Sequence, residues 1–277
     1  MNEVVLEVAA ADGYPLRHRS WQAGQSDTLI VALHGLLTHS GWLAPLGDEL
    51  SARGIHVIGF DRRGSGLNQR ERGDADGPQR FLDDLDAVVR PQRDRYRSLV
   101  YLGWCLGATV AIRYLSREPA MGDGLILMSP DVYERHRTAA LGKVAASPHW
   151  DGRVTPRLRV PIRDEAYTDT PFLDSFVRRD PLKLEDFTPR FARASFALHD
   201  GIESCFESFR KPSLLVLAGS DGIIDNQRTA RLYERIGSTR SETVVLDCHH
   251  GIVFEALDDL VAAVVRFASE VAARRAA

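Results

Sequence analysis

Residues 100–114 read VYLGWCLGATVAIRY, and this stretch decides the fold. An apolar run typical of a buried strand ends at Trp104, and a segment with the pattern of a helix follows shortly after it. Cys105 stands between the two, with Gly103 and Gly107 two residues away on either side. Glycines there let the strand and the helix approach closely. The pattern therefore predicts a sharp turn that lifts the cysteine side chain into a cleft.

Apolar runs and helical patterns alternate along most of the chain, which is typical of a mostly parallel sheet covered by helices on both faces. The alternation stops between residues 132 and 209, where prolines interrupt short mixed segments over a length too great for a simple loop. We therefore predict an α/β fold with a core from residues 1–131 and 210–277 and an inserted cap from 132–209. The pattern from Phe254 to Arg275 predicts a single final helix.

Composition excludes several classes of function. The 277 residues include 35 basic and 38 acidic side chains, so no basic surface for nucleic acid is expected. No apolar run is long enough to span a membrane, and the N-terminal residues lack a secretory signal pattern. Three widely spaced cysteines indicate free thiols, and we expect a cytoplasmic protein. Neither CxxC nor HExxH occurs, so no metal and no cofactor is expected.

The glycine-flanked cysteine resembles the nucleophile elbow of the α/β-hydrolases, G-x-S-x-G, with cysteine in the place of serine. Upstream, VALHGLLTHSGW is similar to the HG loop of that family, and GFDRRGSGLN is similar to its D-x-R-G-x-G turn. The resemblance covers residues 28–132 and 211–270. It is greatest to the capped lysophospholipase and monoacylglycerol-lipase type, which implies the α/β-hydrolase fold.

The resemblance also implies a triad in the chain order nucleophile, acid, histidine. Asp221 directly follows a predicted strand, whereas Asp225 is well placed as the N-cap of the next helix, so we favour Asp221 as the acid. Two adjacent histidines follow the last predicted strand. Members of the family often have a glutamate five residues after the histidine, and Glu255 has that spacing from His250, which we favour over His249.

The implied chemistry is acyl transfer to the thiol of Cys105, with His250 as the base and Asp221 orienting its ring. The backbone N–H groups of Leu36 and Leu106 would form the oxyanion hole. A cysteine in this elbow is similar to that of dienelactone hydrolases and polyhydroxyalkanoate synthases. The predicted enzyme is an esterase or thioesterase that forms an S-acyl intermediate. An acyltransferase or cyclase with the same intermediate, or a non-catalytic binding protein on a hydrolase fold, are the alternatives.

The remaining site predictions concern support and substrate. His34 and Gly35 are expected to shape the loop of the oxyanion hole, as Gly103 and Gly107 shape the elbow. The predicted pocket residues are Trp104, Trp42 and His249. The expected substrate is a small-molecule or carrier-bound acyl compound with an apolar or aromatic acyl group, and the sequence leaves the oligomeric state open.

Overall fold

The structure is a computed structural model that describes residues 3–135, 157–160 and 162–276. The predicted cap, 132–209, therefore lies partly outside the described residues. The segment between residues 132 and 209 is called the insert below, and statements about it concern its described part.

Eight strands form one sheet in the order β1-β2-β4-β3-β5-β6-β9-β10. The first two strands form an antiparallel pair, β2 runs antiparallel to β4, and the other neighbours are parallel. Almost every residue of the central strands is buried, which explains their continuous apolar runs. Their bounds are β1 Glu3–Ala9, β2 Pro15–Trp21, β3 Thr28–Leu33, β4 His56–Phe60, β5 Ser98–Trp104, β6 Gly124–Met128, β9 Ser213–Ala218 and β10 Ser241–Leu246.

The helices cover the sheet in two groups. The first and the last helix of the core, α1 and α8, pack against each other, and α2, α3 and α5 form a second packed group. The structure confirms the predicted α/β architecture. The helix bounds are α1 Ala44–Ala52, α2 Pro78–Val89, α3 Leu106–Arg117, α4 Pro189–Ala197, α5 Ile202–Ser208, α6 Asn226–Tyr233, α7 Ile252–Glu255 and α8 Leu257–Ala276.

The C-terminal region differs from its prediction as a single helix. The helical pattern is broken at Ala256, whose φ of −133° and ψ of 41° lie outside the helical region. The short α7 therefore precedes the long α8, and the break keeps Glu255 beside the loop that precedes α7. The helix start predicted at Asp225 agrees with the structure. Its side chain caps α6 by accepting a hydrogen bond from the N–H of Arg228 at 3.0 Å.

The insert connects β6 to β9 and packs on the carboxyl ends of the parallel strands. It contains α4, α5 and a two-residue antiparallel pair, β7 Leu158–Arg159 with β8 Asp186–Phe187. The N–H of Leu184 donates to the carbonyl of Leu37 at 2.8 Å, which ties the insert to the loop after β3. Because the carboxyl ends of the strands carry the site in sheets of this kind, the insert lies over the place where a site is expected.

Candidate active site

The turn from β5 to α3 has the geometry of a strained elbow. Cys105 adopts φ 53° and ψ −119°, a conformation that side chains other than glycine rarely take. A Cβ at Gly103 would lie 2.3 Å from the Cα of Ala108, and a Cβ at Gly107 would lie 2.2 Å from the carbonyl oxygen of Leu33. The two glycines are therefore required by close backbone approach, as the sequence indicated.

The side chain of Cys105 is not lifted into an open cleft. Cys105 has 0% exposure, because the elbow lies beneath other buried side chains. Burial raises the pKa of the thiol well above its usual range, and the negative charges of Asp131, Glu134 and Asp221 raise it further, while the N–H of Leu106 acts in the opposite direction. The expectation of an exposed nucleophile was wrong for this conformation, in which the thiol is neutral at pH 7.

Asp221 and His250 form a buried pair at the carboxyl ends of β9 and β10. Nδ1 of His250 lies 2.8 Å from a carboxylate oxygen of Asp221, and neither side chain is exposed. The second carboxylate oxygen accepts the backbone N–H groups of Ile223 and Ile224, each at 2.9 Å. Burial by itself would raise the pKa of Asp221, but the His250 ring and these N–H groups lower it below its usual value.

The other ring nitrogen of His250, Nε2, is buried and has no hydrogen-bond partner among the described residues. The thiol of Cys105 and the imidazole are therefore not hydrogen-bonded in this conformation. The ring nevertheless lies beside the elbow, since its centroid is 5.7 Å from that of Trp104, the residue before the cysteine. The structure thus brings the three predicted triad residues into one buried region and leaves the Cys–His contact unmade.

His249 has a different partner and a different environment. Its backbone N–H donates to the carboxylate of Glu255 at 2.8 Å, and its Nδ1 lies 3.0 Å from the same group. The glutamate whose spacing favoured His250 therefore binds His249 instead, because the break at Ala256 leaves it facing the preceding loop. The side chain of His249 is 32% exposed, so this pair is at the surface.

Asp169 joins this surface pair, with a carboxylate oxygen 3.8 Å from Nδ1 of His249. The ligand-type atoms of Asp169, His249 and Glu255 lie within 4.8 Å of one another, the one such group of three in the described part of the chain. The hydrogen bonds of Glu255 to the backbone and the ring of His249 account for this arrangement.

The buried side chains of His34 and Arg62 hold the loop after β3. Burial and the neighbouring Arg62 lower the pKa of His34 well below its usual value, so its ring is neutral. Nε2 accepts the backbone N–H of Arg62 at 3.2 Å, and the Nδ1 proton therefore goes to the carbonyl of Gly35 at 2.9 Å. Since the C=O and N–H of a trans peptide point in opposite directions, the N–H of Leu36 points away from the His34 ring.

Gly35 lies against the elbow, because a Cβ on it would be 3.3 Å from the Cβ of Cys105. A larger residue at this position would crowd the loop against the sulfur. The loop and the elbow are therefore in direct contact, as the predicted oxyanion hole requires.

Arg62 is a buried cation that the sequence reading did not single out. Its guanidinium donates to the carbonyls of His34 and Leu36, each at 2.8 Å. Burial lowers its pKa to about 10, while the negative charges of Asp61 and of an ionised Cys105 favour its protonated form. Arg62 thus stays charged at neutral pH and braces the loop of the predicted oxyanion hole. Its only sequence signal was its place inside the D-x-R-G-x-G turn.

Aromatic side chains surround His250. The ring of Tyr167, from the insert, lies edge-on to His250 at 5.3 Å between centroids, and edge-on to Trp42 at the same distance. Trp104 lies 6.0 Å from Tyr167. The predicted pocket residues Trp42 and Trp104 therefore belong to this cluster, whereas His249 lies outside it.

The indole of Trp42 also links the insert to the core. Its N–H donates to Asp180 at 2.6 Å, and the same carboxylate oxygen lies 2.9 Å from Nε2 of His39. Asp180 belongs to the insert, so two residues that follow the oxyanion loop hold it in place.

A small pocket, with a cavity volume of about 20 Å³, lies beside Leu36. Phe187, Phe191 and Phe196 give it apolar walls, and Asp131 and His199 are among its polar lining residues. Nε2 of His199 lies 3.2 Å from a carboxylate oxygen of Asp131. The pocket is adjacent to the predicted oxyanion loop, and in this conformation it has room for about one water molecule.

Comparison with known proteins identifies the family. A family model described as serine aminopeptidase, S33, matches residues 24–256, which is most of the chain. The chain belongs to the S33 family. This family has the α/β-hydrolase fold, and the match confirms the prediction of an α/β-hydrolase enzyme. The family is named for a serine, whereas this member has a cysteine between its elbow glycines.

Individual relatives of this S33 chain are lipases by name. Phospholipase YtpA of Bacillus subtilis is 24% identical over 230 residues, covering 79% of this chain and 85% of the relative. Mouse monoglyceride lipase is 25% identical over 253 residues, covering 87% and 80%. The crystal structure of a Paleococcus ferrophilus monoacylglycerol lipase superposes with a TM-score of 0.81 at 20% identity, covering 92% and 99%, which shows a shared fold.

Within the described part of the S33 chain, no helix has both the length and the apolar character needed to cross a bilayer. This agrees with the absence of a long apolar run in the sequence.

Proposed function

We propose that this chain is an acyl hydrolase that cleaves carboxylic esters or thioesters through Cys105, His250 and Asp221, with an S-acyl enzyme as the intermediate. The observation that carries the proposal is the buried His250–Asp221 pair, whose Nε2 has no partner among the described residues beside the strained elbow. An imidazole fixed at one nitrogen and unengaged at the other is the arrangement that a general base needs.

The proton and the acyl group move in a defined order. Nε2 of His250 takes the proton of the Cys105 thiol, and Asp221 stabilises the imidazolium that forms. The thiolate attacks the carbonyl carbon, and the proton then passes from His250 to the leaving alcohol or thiol. In the second half of the reaction the same nitrogen takes a proton from water, whose oxygen attacks the acyl carbon; the carbon–sulfur bond breaks, and the proton passes to the sulfur of Cys105.

The oxyanion hole in this proposal consists of the N–H groups of Leu36 and Leu106. Support comes from the bonds that fix the peptide of Leu36 through His34 and Arg62, and from the position of Leu106 at the start of α3. The N-terminal end of a helix carries partial positive charge, which favours a negative oxygen there. Loss of one such donor typically raises the barrier by about 3–4 kcal/mol.

The neutral, buried thiol has a consequence for turnover. Because the pKa of Cys105 is raised, its ionisation depends on transfer of the proton to His250 at the moment of reaction rather than on a resting thiolate. We therefore propose that a turn of the cysteine side chain or movement of the insert, which would act as a cap, precedes attack. The contacts of Tyr167 and Asp180 with the core support this proposed role of the insert.

The substrate in this proposal is a small-molecule ester with an apolar acyl group. The phenylalanines beside Leu36 would give that group an apolar surface once the small pocket widens, and relatives of the chain are named as a phospholipase and monoglyceride lipases. Carrier-bound thioesters would be attacked at the same carbonyl carbon.

Burst kinetics with p-nitrophenyl butyrate test the proposal. We expect a rapid release of p-nitrophenol, stoichiometric with enzyme, that is absent in Cys105→Ala. A burst that persists in Cys105→Ala would place the nucleophile elsewhere and overturn the proposal.

A further inference from the structure

The hydroxyl of Tyr167 lies unused in the closed site. Tyr167 is fully buried, and its hydroxyl oxygen forms no hydrogen bond with any residue that the structure describes. The same is true of Nε2 of His250, whose ring lies against Tyr167. Buried polar groups without partners are rare and destabilising. Two unpartnered polar atoms carried by rings that pack against each other point to a polar ligand group that would bind both.

The position of Tyr167 is fixed by its neighbours. The N–H of Gly251, directly after His250, donates to the carbonyl of Tyr167 at 2.6 Å. A Cβ at Gly251 would lie 2.4 Å from that carbonyl oxygen, so only glycine permits this approach. Thr168 is fully buried, and its side chain hydrogen-bonds to Glu255. The insert and the histidine loop are thus joined at the residue that brings the phenol to the site.

The phenol is suited to donate a hydrogen bond. Burial raises the pKa of Tyr167 well above its usual value, and the charge of an ionised Cys105 raises it further. Tyr167 therefore keeps its proton throughout the working range of pH.

We propose that Tyr167 is a catalytic residue whose hydroxyl donates a hydrogen bond to the leaving oxygen of an ester of an aliphatic alcohol. The inference rests on the proposed acyl-enzyme reaction. As the bond between the sulfur of Cys105 and the carbonyl carbon forms, the bond from that carbon to the leaving oxygen breaks. The leaving oxygen receives its proton from Nε2 of His250, while Tyr167 stabilises the developing charge and keeps its own proton.

This role defines a substrate class. An aliphatic alkoxide is a poor leaving group, so the negative charge that develops on its oxygen needs a donor. A p-nitrophenolate leaves readily and needs little help. An enzyme with this tyrosine is therefore adapted to esters of aliphatic alcohols and would gain little from it with activated aryl esters.

The test compares two esters of one acid, ethyl butyrate and p-nitrophenyl butyrate, in the wild type and in Tyr167→Phe. We expect kcat/KM, which reports acylation, to fall about 10- to 100-fold for the ethyl ester, as for loss of a hydrogen bond to a charged acceptor, and to change less than about threefold for the aryl ester. Tyr167→Phe should unfold at the same or a higher temperature, because it removes a hydroxyl without a described partner.

Tyr233→Phe is the matched control. Tyr233 is also buried, but its hydroxyl lies 2.9 Å from that of Ser213, at the end of β9 remote from Asp221. This variant should lower the unfolding temperature and leave both kcat/KM values unchanged.

Three outcomes would overturn the inference. If the ratio of kcat/KM for the two esters is the same in Tyr167→Phe as in the wild type, and the burst is normal, the leaving-group role is excluded and the proposed function stays intact. A fall in unfolding temperature as large as for Tyr233→Phe would show that the hydroxyl has a structural partner. The absence of any adduct on Cys105 in the wild type would overturn the proposed function and this inference together.

Discussion

Two adjacent histidines end in opposite environments. His250 is completely buried and bound to Asp221, whereas His249 is partly exposed and bound to Glu255. Each forms a close pair with a carboxylate, at 2.8 Å and 3.0 Å. The difference lies in the second ring nitrogen and its surroundings: that of His250 is enclosed by Trp104 and Tyr167 beside the elbow. The presence of a histidine–carboxylate pair therefore does not identify the catalytic histidine. Its burial and its position beside the elbow are better indicators.

The largest expected effect separates the two rings. Replacing His250 by Ala should lower kcat/KM for p-nitrophenyl butyrate by about 10⁴-fold or more, because the base is removed. Replacing His249 by Ala should change it by less than about threefold, because only a side-chain hydrogen bond remote from the elbow is lost. Steady-state kinetics of the two variants measure the contrast, and equal losses would reject the assignment of His250.

Substitution of Asp221 should lower activity more than substitution of Glu255. Asp221→Asn should lower kcat about 10³- to 10⁴-fold, since an amide stabilises neither the imidazolium nor the required tautomer. Glu255→Gln should lower kcat less than about tenfold, because it only weakens the hydrogen bonds that hold the loop of His249. If Glu255→Gln were the more damaging change, the surface pair would be the catalytic one.

Acid stability should also distinguish the pairs. The pKa of Asp221 is lowered in the folded state, so its stabilising effect is present above the ordinary aspartate pKa of about 3.9 and is lost as pH falls through the lower folded value. The difference in free energy of unfolding between wild type and Asp221→Asn should therefore shrink between pH 6 and the acid limit of folding.

Urea unfolding at several pH values gives this difference. Glu255 also has a lowered pKa, but it is nearer the surface, so the corresponding difference for Glu255→Gln should shrink less. A steeper acid dependence for Glu255→Gln would contradict the ranking of the two pairs.

The smallest expected effect is the coupling within the surface pair itself. A double-mutant cycle of His249→Ala and Glu255→Gln should give about 1 kcal/mol or less, typical of a single side-chain hydrogen bond. A coupling of several kcal/mol would mean that this pair is effectively buried.

The sequence predicted local features better than long-range ones. The elbow glycines, the apolar runs of the central strands and the N-cap at Asp225 depend on neighbouring residues, and each agrees with the structure. Such features follow from backbone sterics and from the periodicity of apolar residues. They could therefore be predicted from the sequence without knowledge of any tertiary contact.

Features that depend on distant contacts could not be predicted. The burial of Cys105 and the contact of Tyr167 with Gly251 depend on how the insert folds back over the strand ends. Glu255 binds His249 because the helix breaks at Ala256, and the helical pattern gave no sign of that break. Arg62 appeared only as part of a turn, although its guanidinium bonds the loop beside the elbow.

Intact-mass and peptide mass spectrometry of the enzyme quenched after reaction with p-nitrophenyl butyrate would test the central claim most directly. A single butyryl group should be found on the peptide that contains Cys105 in the wild type, strongly reduced in His250→Ala and preserved in His249→Ala. A butyryl group on another residue, or one that forms at the wild-type rate without His250, would contradict the proposed triad.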